Sequence, residues 1–276
     1  MANETLPFET LPSPLQTSAR ALWSRYLERR GAEDAPLIPQ KILDSLPLIL
    51  ATSPFIAQEI TRNAGLLKVL IDEGLLETRR NEMAIRAQLE NALSEVTDEA
   101  GLQKALRRMR SLEMVRIAWR DIAGWAPIEE TLRDLSLLAE AAVETALSLH
   151  FEWLTERFGI PRNREGEPQN LVVLGMGKLG ARELNYSSDI DLILAYRDDG
   201  VLEDKKETSY AEFYTRLARN LVRALDEKTE DGFVFRVDTR LRPFGESGPL
   251  VLHFEALERY YEGQAREWER YAMIKA

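Results

Sequence analysis

Eight residues, "ARELNYSS", separate Gly180 from Asp189, and that span constrains the fold more than any other feature of the chain. The apolar run "LVVLG" leads into Gly175, Gly177 and Gly180, spaced as in the G-x-G-x-x-G fingerprint of dinucleotide-binding units. Such a unit places a crossover helix before its next parallel strand, and that connection takes at least about 10–12 residues. Here the next strand-like run, "IDLILAY", begins too soon. A phosphate loop of the Gly-Lys-Ser/Thr kind fails as well, because Lys178 is followed by Leu179. Gly175 and Gly177 therefore read as formers of a tight strand-to-helix turn rather than as ligand contacts.

Around this turn the chain changes texture. From about Pro14 to Gly159 apolar residues recur at helical spacing, as in "LLKVLIDEGLL" and "IEETLRDLSLLAEAAVETALSLHFEWLTERFG". Prolines 36, 39, 47, 54 and 127 are expected to cut this half into several helices. Its Trp and Met stripes read as core. "GIPRNREGEPQN", residues 159–170, has no periodicity and reads as a linker. Beyond it "LVVLG", "IDLILAY" and "GFVFRVDTRLRP" read as strands. "SYAEFYTRLARNLVRALDE" puts Phe213, Leu217, Leu221 and Leu225 on one helical stripe behind a Ser209/Glu212 capping signature. The expected organisation is a helical region over 1–160 and an α/β region over 161–276, in an α+β, largely helical fold. The last stretch reads as one amphipathic helix with Leu257, Tyr261, Trp268 and Tyr271 on one face. It stops without a C-cap, so the chain is expected to be a piece of something longer, truncated at its C-terminal end.

Composition removes several function classes. With no cysteine and only His150 and His253, thiol catalysis, disulfides and His-rich metal sites are excluded. Any metal has to be held by carboxylates, which favours Mg²⁺ or Mn²⁺. The net charge of −10 argues against a general nucleic-acid binder. Arg107, Arg108, Arg110 and Arg116 in "RRMRSLEMVR" read as a solvated basic face, or alternatively as a contact for an acidic protein surface. The N-terminus has no signal-peptide pattern and no apolar run approaches the roughly 20 residues of a membrane span. The expectation is a cytoplasmic protein with no membrane partner.

The chemistry is concentrated in Asp189-Ile190-Asp191. Side chains alternate along a strand, so the two carboxylates share a face with Cα atoms about 6 to 7 Å apart, while Ile190 and Leu192 face the core. Their repulsion would be relieved by one divalent cation, or by a pair about 3.5–4 Å apart, which also makes a phosphoryl-transfer site. A solvated turn and strand end is the plainer reading of Ser187-Ser188-Asp189.

Small residues at Gly180 and Ala181, then seven residues, then Asp-Ile-Asp-Leu together resemble the signature of the polymerase-β-like nucleotidyltransferase superfamily. That resemblance implies a third carboxylate on a later strand, and "FVFRVDTRLRP" offers Asp238. On its alternation Arg236, Asp238, Arg240 and Arg242 face one way, which suits a polyanionic substrate; a solvated sheet face with ion pairs is the alternative. More narrowly, "GMGKLGARELNYSSDIDLIL", "DGFVFRVDTRLRPFGESGPLV", "REWERYAMIKA" and "RRMRSLEMVRIAWRDIAGWAPIEETL" resemble the bifunctional glutamine synthetase adenylyltransferase/adenylyl-removing family, and its adenylyl-removing half more than its transferring half.

The resemblance implies a helical region followed by a polymerase-β-like domain with a small mixed sheet. It also implies an ATP-related nucleotide chemistry: removal of AMP from glutamine synthetase by orthophosphate, with release of ADP. Asp189, Asp191 and Asp238 would hold Mg²⁺ or Mn²⁺. Ser187, Ser188 and backbone amides from Gly180 and Ala181 onward would cradle phosphate oxygens, Arg240 or Arg242 would brace the incoming phosphate, and Lys178 is either a further phosphate contact or a solvated loop charge. Glutamine synthetase and the PII signal protein are the implied partners. Ala181 stands where the family commonly has a second glycine, which raises the question of a backbone strained at that point. Two alternatives stay open: another protein nucleotidyltransferase moving AMP or UMP, and a catalytically silent fragment that binds glutamine synthetase or PII.

Overall fold

The computed structural model describes residues 6–31 and 36–276. Its contacts divide the chain into two compact units, Met1–Glu82 with Met109–Asp134, and Met83–Arg108 with Leu135–Ala276. The helices are α1 (Ser13–Arg29), α2 (Gln40–Thr52), α3 (Pro54–Arg62), α4 (Gly65–Asp72), α5 (Glu82–Leu93), α6 (Glu99–Ile122) and α7 (Ile128–Phe158). There follow β1 (Val172–Met176), α8 (Gly177–Gly180), β2 (Ile190–Tyr196), α9 (Tyr210–Asp226), β3 (Val237–Asp238), β4 (Val251–His253), α10 (Phe254–Gly263) and α11 (Glu267–Ala272). The fold is α+β and largely helical, with a small mixed sheet. Among the described residues no helix is long and apolar enough to cross a membrane.

The first unit is helical. Its core joins Trp23, Tyr26, Leu46, Ile49, Ile56, Ile60 and Leu67 to Val115 and Trp119 from α6. Ser53 caps α3 by accepting the Ile56 amide at 3.2 Å, with Pro54 at the first helical position where no donor is lost. Pro39 precedes α2 and Pro127 precedes α7 as expected, but Pro47 lies inside α2. Its ring is buried on the face that carries Leu43, Leu46 and Leu50, so apolar burial offsets the lost backbone bond.

The second unit holds the sheet. β1 runs antiparallel to β2, while β3 and β4 both pair in parallel with the other edge of β2, β3 at Ile190–Asp191 and β4 at Leu194–Tyr196. The chain between them, residues 239–250, therefore leaves that edge and returns to it. In α9, capped by Ser209, the stripe Phe213, Leu217, Leu221 and Leu225 is fully buried, and it packs on β3 and β4. The Glu212 carboxylate meets Arg216 on the exposed side.

Residues 159–170, expected as a linker, form a hydrogen-bonded loop: Arg162 bridges to Pro168, the Asn163 amide donates to Glu167 O at 2.8 Å, and Gln169 exchanges bonds with Asp198. Three local expectations are corrected. The strand expected over "GFVFRVDTRLRP" shrinks to Val237–Asp238, because the Arg240 amide turns back to Asp238 Oδ1 at 2.8 Å. The terminal helix is two helices. Gly263 ends one, and the Arg266 amide donating to Glu269 at 2.7 Å starts the next, so Tyr260, Ala265 and Glu269 are buried while Trp268 and Tyr271 are exposed. Finally, Arg107 and Arg116 are not solvated. Arg107 donates to the carbonyls of Gln103, Ala224, Glu227 and Gly232, tying the end of α9 to α6, and Arg116 bonds Glu113 and Asp134 within the first unit. A helical wheel shows which residues share a face, not which face a later segment covers.

Candidate functional site

Two neighbouring strands, β2 and β3, bring the carboxylates together. Register aligns Met176 of β1, Asp191 of β2 and Asp238 of β3 across the sheet, and Asp189 lies just before β2. Ile190 and Leu192 are buried, as strand alternation requires. Burial first, then the charges of Asp238 and Asp189, pushes the Asp191 carboxyl above its ordinary range, with Arg240 and Lys178 offsetting part of that effect. Asp238 moves the other way, held below the usual carboxylate range chiefly by its bonds from the Arg240 side chain. Asp189 pairs with the Arg236 guanidinium, which also donates to Ser187 O at 2.6 Å. Among the described residues no group of three His, Cys, Asp or Glu side chains is placed to hold a metal ion as it stands. Arginines occupy Asp189 and Asp238, and Asp191 lies between them.

The other expected contacts divide. Lys178 reaches Ser188 Oγ at 3.4 Å and acts electrostatically on Asp191, so it borders the carboxylates. Ser188 Oγ donates to Asn185 Oδ1 at 2.8 Å, and the Ser187 amide donates to the same oxygen at 3.3 Å. Arg240 lies against Asp238, its Nε 2.8 Å from Oδ2. Arg242 instead holds its own loop, donating to Thr239 O at 2.8 Å, Thr239 Oγ1 at 2.9 Å, Glu246 O at 3.2 Å and Gly248 O at 3.4 Å. The amides after Gly180 do not form an open cradle: those of Ala181, Arg182 and Glu183 donate to Gly177, Leu179 and Lys178.

Gly180 serves close packing. A Cβ there would lie 2.4 Å from Gly175 O and 2.1 Å from Lys275 O. The glycine beside the carboxylates is Gly177, in the left-handed region at φ +59°, where a Cβ would be 3.7 Å from Asp191 Oδ2. Ala181 is unstrained at φ −78°; Arg182, at φ +55°, takes the left-handed step, and its guanidinium is paired with Glu140 at 3.0 Å. A cavity of about 380 Å³ lined by Val173, Gly175, Gly180, Arg182, Glu140 and Leu192 belongs to the sheet face opposite Asp191. It contains none of the three carboxylates. Arg236 is the site residue to which the sequence reading gave no separate role, although alternation had placed it on the Asp238 face.

Residues 43–276 match the family described as glutamate-ammonia ligase adenylyltransferase. Three relatives bear the name bifunctional glutamine synthetase adenylyltransferase/adenylyl-removing enzyme. The one from Methylococcus capsulatus is 51% identical over 84% of this chain and 24% of its own length. Those from Nitrosococcus oceani and Pseudomonas aeruginosa are 46% and 49% identical, each over 96% of this chain and 28% of their own length. The chain thus spans about a quarter of the length of the curated relatives it matches. A profile match that takes in the glycine turn, all three aspartates and most of the helical region establishes that the chain belongs to the glutamate-ammonia ligase adenylyltransferase family.

Proposed function

We propose that residues 161–276 form a nucleotidyltransferase-like catalytic core and that its reaction is removal of AMP from adenylylated glutamine synthetase by phosphorolysis. An orthophosphate oxygen attacks the AMP phosphorus, the bond from that phosphorus to the tyrosyl oxygen breaks, and the products are ADP and a tyrosine that takes up one proton. Orthophosphate is already anionic at neutral pH, so the demand on the site is to bring two anions together rather than to supply a strong base. The observation that carries this reading is Asp191 in register with Asp238 and beside Asp189, its carboxyl raised by burial and by both neighbours. Such a hard-oxygen donor set fits Mg²⁺ or Mn²⁺, and Asp189, Asp191 and Asp238 would hold it. When bound, the cation supplies charge neutralisation for the phosphates. Arg236 and Arg240, displaced from Asp189 and Asp238, would then meet the phosphate oxygens, and Lys178 would add a third positive charge. The arginine-paired carboxylates also favour a second reading, a fragment that binds glutamine synthetase or PII without turnover.

The test is to incubate the chain with adenylylated glutamine synthetase, Mg²⁺, labelled orthophosphate and uridylylated PII. Labelled ADP that disappears with Asp191→Asn supports phosphorolysis. Pyrophosphate release with AMP transfer from ATP would replace it by the forward reaction, and binding without any product would favour the second reading.

A further inference from the structure

The loop that leaves the edge of β2 after Asp238 carries a residue with no part in the reaction so far. Phe244 has φ +63° and ψ +10°, a left-handed backbone that bulky side chains rarely adopt. The loop fixes it there from several sides. Arg242 donates to Thr239, Glu246 and Gly248, the Gly245 amide donates to Arg242 O at 2.9 Å, and Ser247 Oγ donates to Phe244 O at 2.8 Å. Gly248 passes so close that a Cβ would lie 2.1 Å from Pro243 O. Behind the ring stands Tyr260, buried and bonded to Glu269, with centroids 4.7 Å apart and planes at 64°. Even so, Phe244 remains 49% exposed. A left-handed aromatic, supported at its back and open at its front, is displayed rather than packed.

Its surroundings narrow what it is displayed to. A Cβ on Gly245 would lie 3.7 Å from Arg240 O, so the loop folds against the residue that pairs with Asp238, and Arg240 also feels the charges of Glu246 and Asp191. The ring thus stands on the same loop as Arg240, which pairs with Asp238, and Arg242, which braces the loop. A flat, half-exposed ring on a loop that also carries guanidinium groups matches the two ends of a nucleotide, a base with a π-face and a phosphate. We propose that Phe244 is the stacking platform for the adenine ring of the AMP group, with Tyr260 as the residue that positions it. The proposal rests on the nucleotide reading of the carboxylate site.

The experiment is titration of the chain with ADP in the presence of Mn²⁺, alongside Mn²⁺ alone and Mn²⁺ with inorganic tripolyphosphate, which lacks a base. Phe244→Asn, whose side chain tolerates the left-handed backbone, should weaken ADP about tenfold. It should leave Mn²⁺ and tripolyphosphate binding and the thermal midpoint as in the wild type, and Phe244→Trp should restore ADP binding. Equal ADP affinity in the wild type and Phe244→Asn overturns the stacking role. A loss seen with adenylylated glutamine synthetase but not with ADP assigns the ring to protein contact and overturns it too. Wild-type protein that binds tripolyphosphate through Asp191 but not ADP removes the base platform while leaving the phosphate site. Failure to bind any of the three ligands overturns the nucleotide reading itself.

Discussion

Arginine meets carboxylate in both units, with opposite consequences. In the first, Arg116 lies between Glu113 and Asp134 at 2.7 Å from each, and all three side chains are almost wholly buried. Arg80 and Arg133 close the network from either side. Burial works against the Arg116 charge, but Glu113 and Asp134 outweigh it, so the guanidinium stays protonated. In the second unit, Arg236 on Asp189 and Arg240 on Asp238 make similar pairs in the open, with the arginine side chains 51% and 68% exposed. Water competes for the open pairs and not for the buried ones, so the former can exchange an arginine for another ligand while the latter are fixed. Exposure, rather than the kind of residue, separates the candidate site from the scaffold here.

The most severe way to break this contrast is Arg116→Met. It removes the cation shared by Glu113 and Asp134, leaving them only Arg80 and Arg133, and should cost about 3–5 kcal/mol of stability in urea denaturation; a loss below about 1 kcal/mol would mean the network is solvated after all. A second buried charge site sharpens the comparison through pH. His150 is buried beside Glu99 and Arg223, and burial first, then Arg223, lowers its pKa from 6.5 to about 4. The unfolded chain therefore takes up the proton before the folded one does. The His150 contribution to stability is complete above pH 6.5 and is lost as pH falls toward about 4. Glu99, raised by burial despite Arg223, works in the opposite sense and offsets part of the loss. His150→Phe should flatten the slope between those pH values, and an unchanged slope would remove His150 as its source. The smallest effect is expected at the open pair: Arg236→Gln should change stability by about 0–1 kcal/mol while tightening Mn²⁺ by freeing Asp189. A penalty as large as that at Arg116 would make this pair structural as well.

Much of the site was legible because it depends on short-range rules. The glycine spacing excluded a crossover helix, and the turn that replaces it is the four-residue α8 followed by Arg182 in the left-handed region. Alternation placed Asp189 and Asp191 on one face and Ile190 in the core. The stripe of α9 was equally plain, because its period is local. What failed was whatever a distant segment decides. Arg107 looks like a solvated cation until the carbonyls of Ala224, Glu227 and Gly232 come round to meet it. The alternation across residues 236–242 has the look of one strand, yet a single bond from the Arg240 amide to the Asp238 carboxylate ends it, and Arg242 braces its own loop instead of reaching outward.

By itself, then, the sequence determined the class of fold, the stripe of α9, the strand that follows Asp189 and carries Asp191, and the family motifs around them, since each follows from residue spacing within one element. Only the tertiary structure decided that Asp238 lines up with Asp191, that Gly177 rather than Gly180 lies beside them, and that Phe244 is held open in a strained turn. Strand register, close backbone approach and burial depend on which segment arrives from elsewhere in the chain, and spacing along one segment carries no record of that arrival.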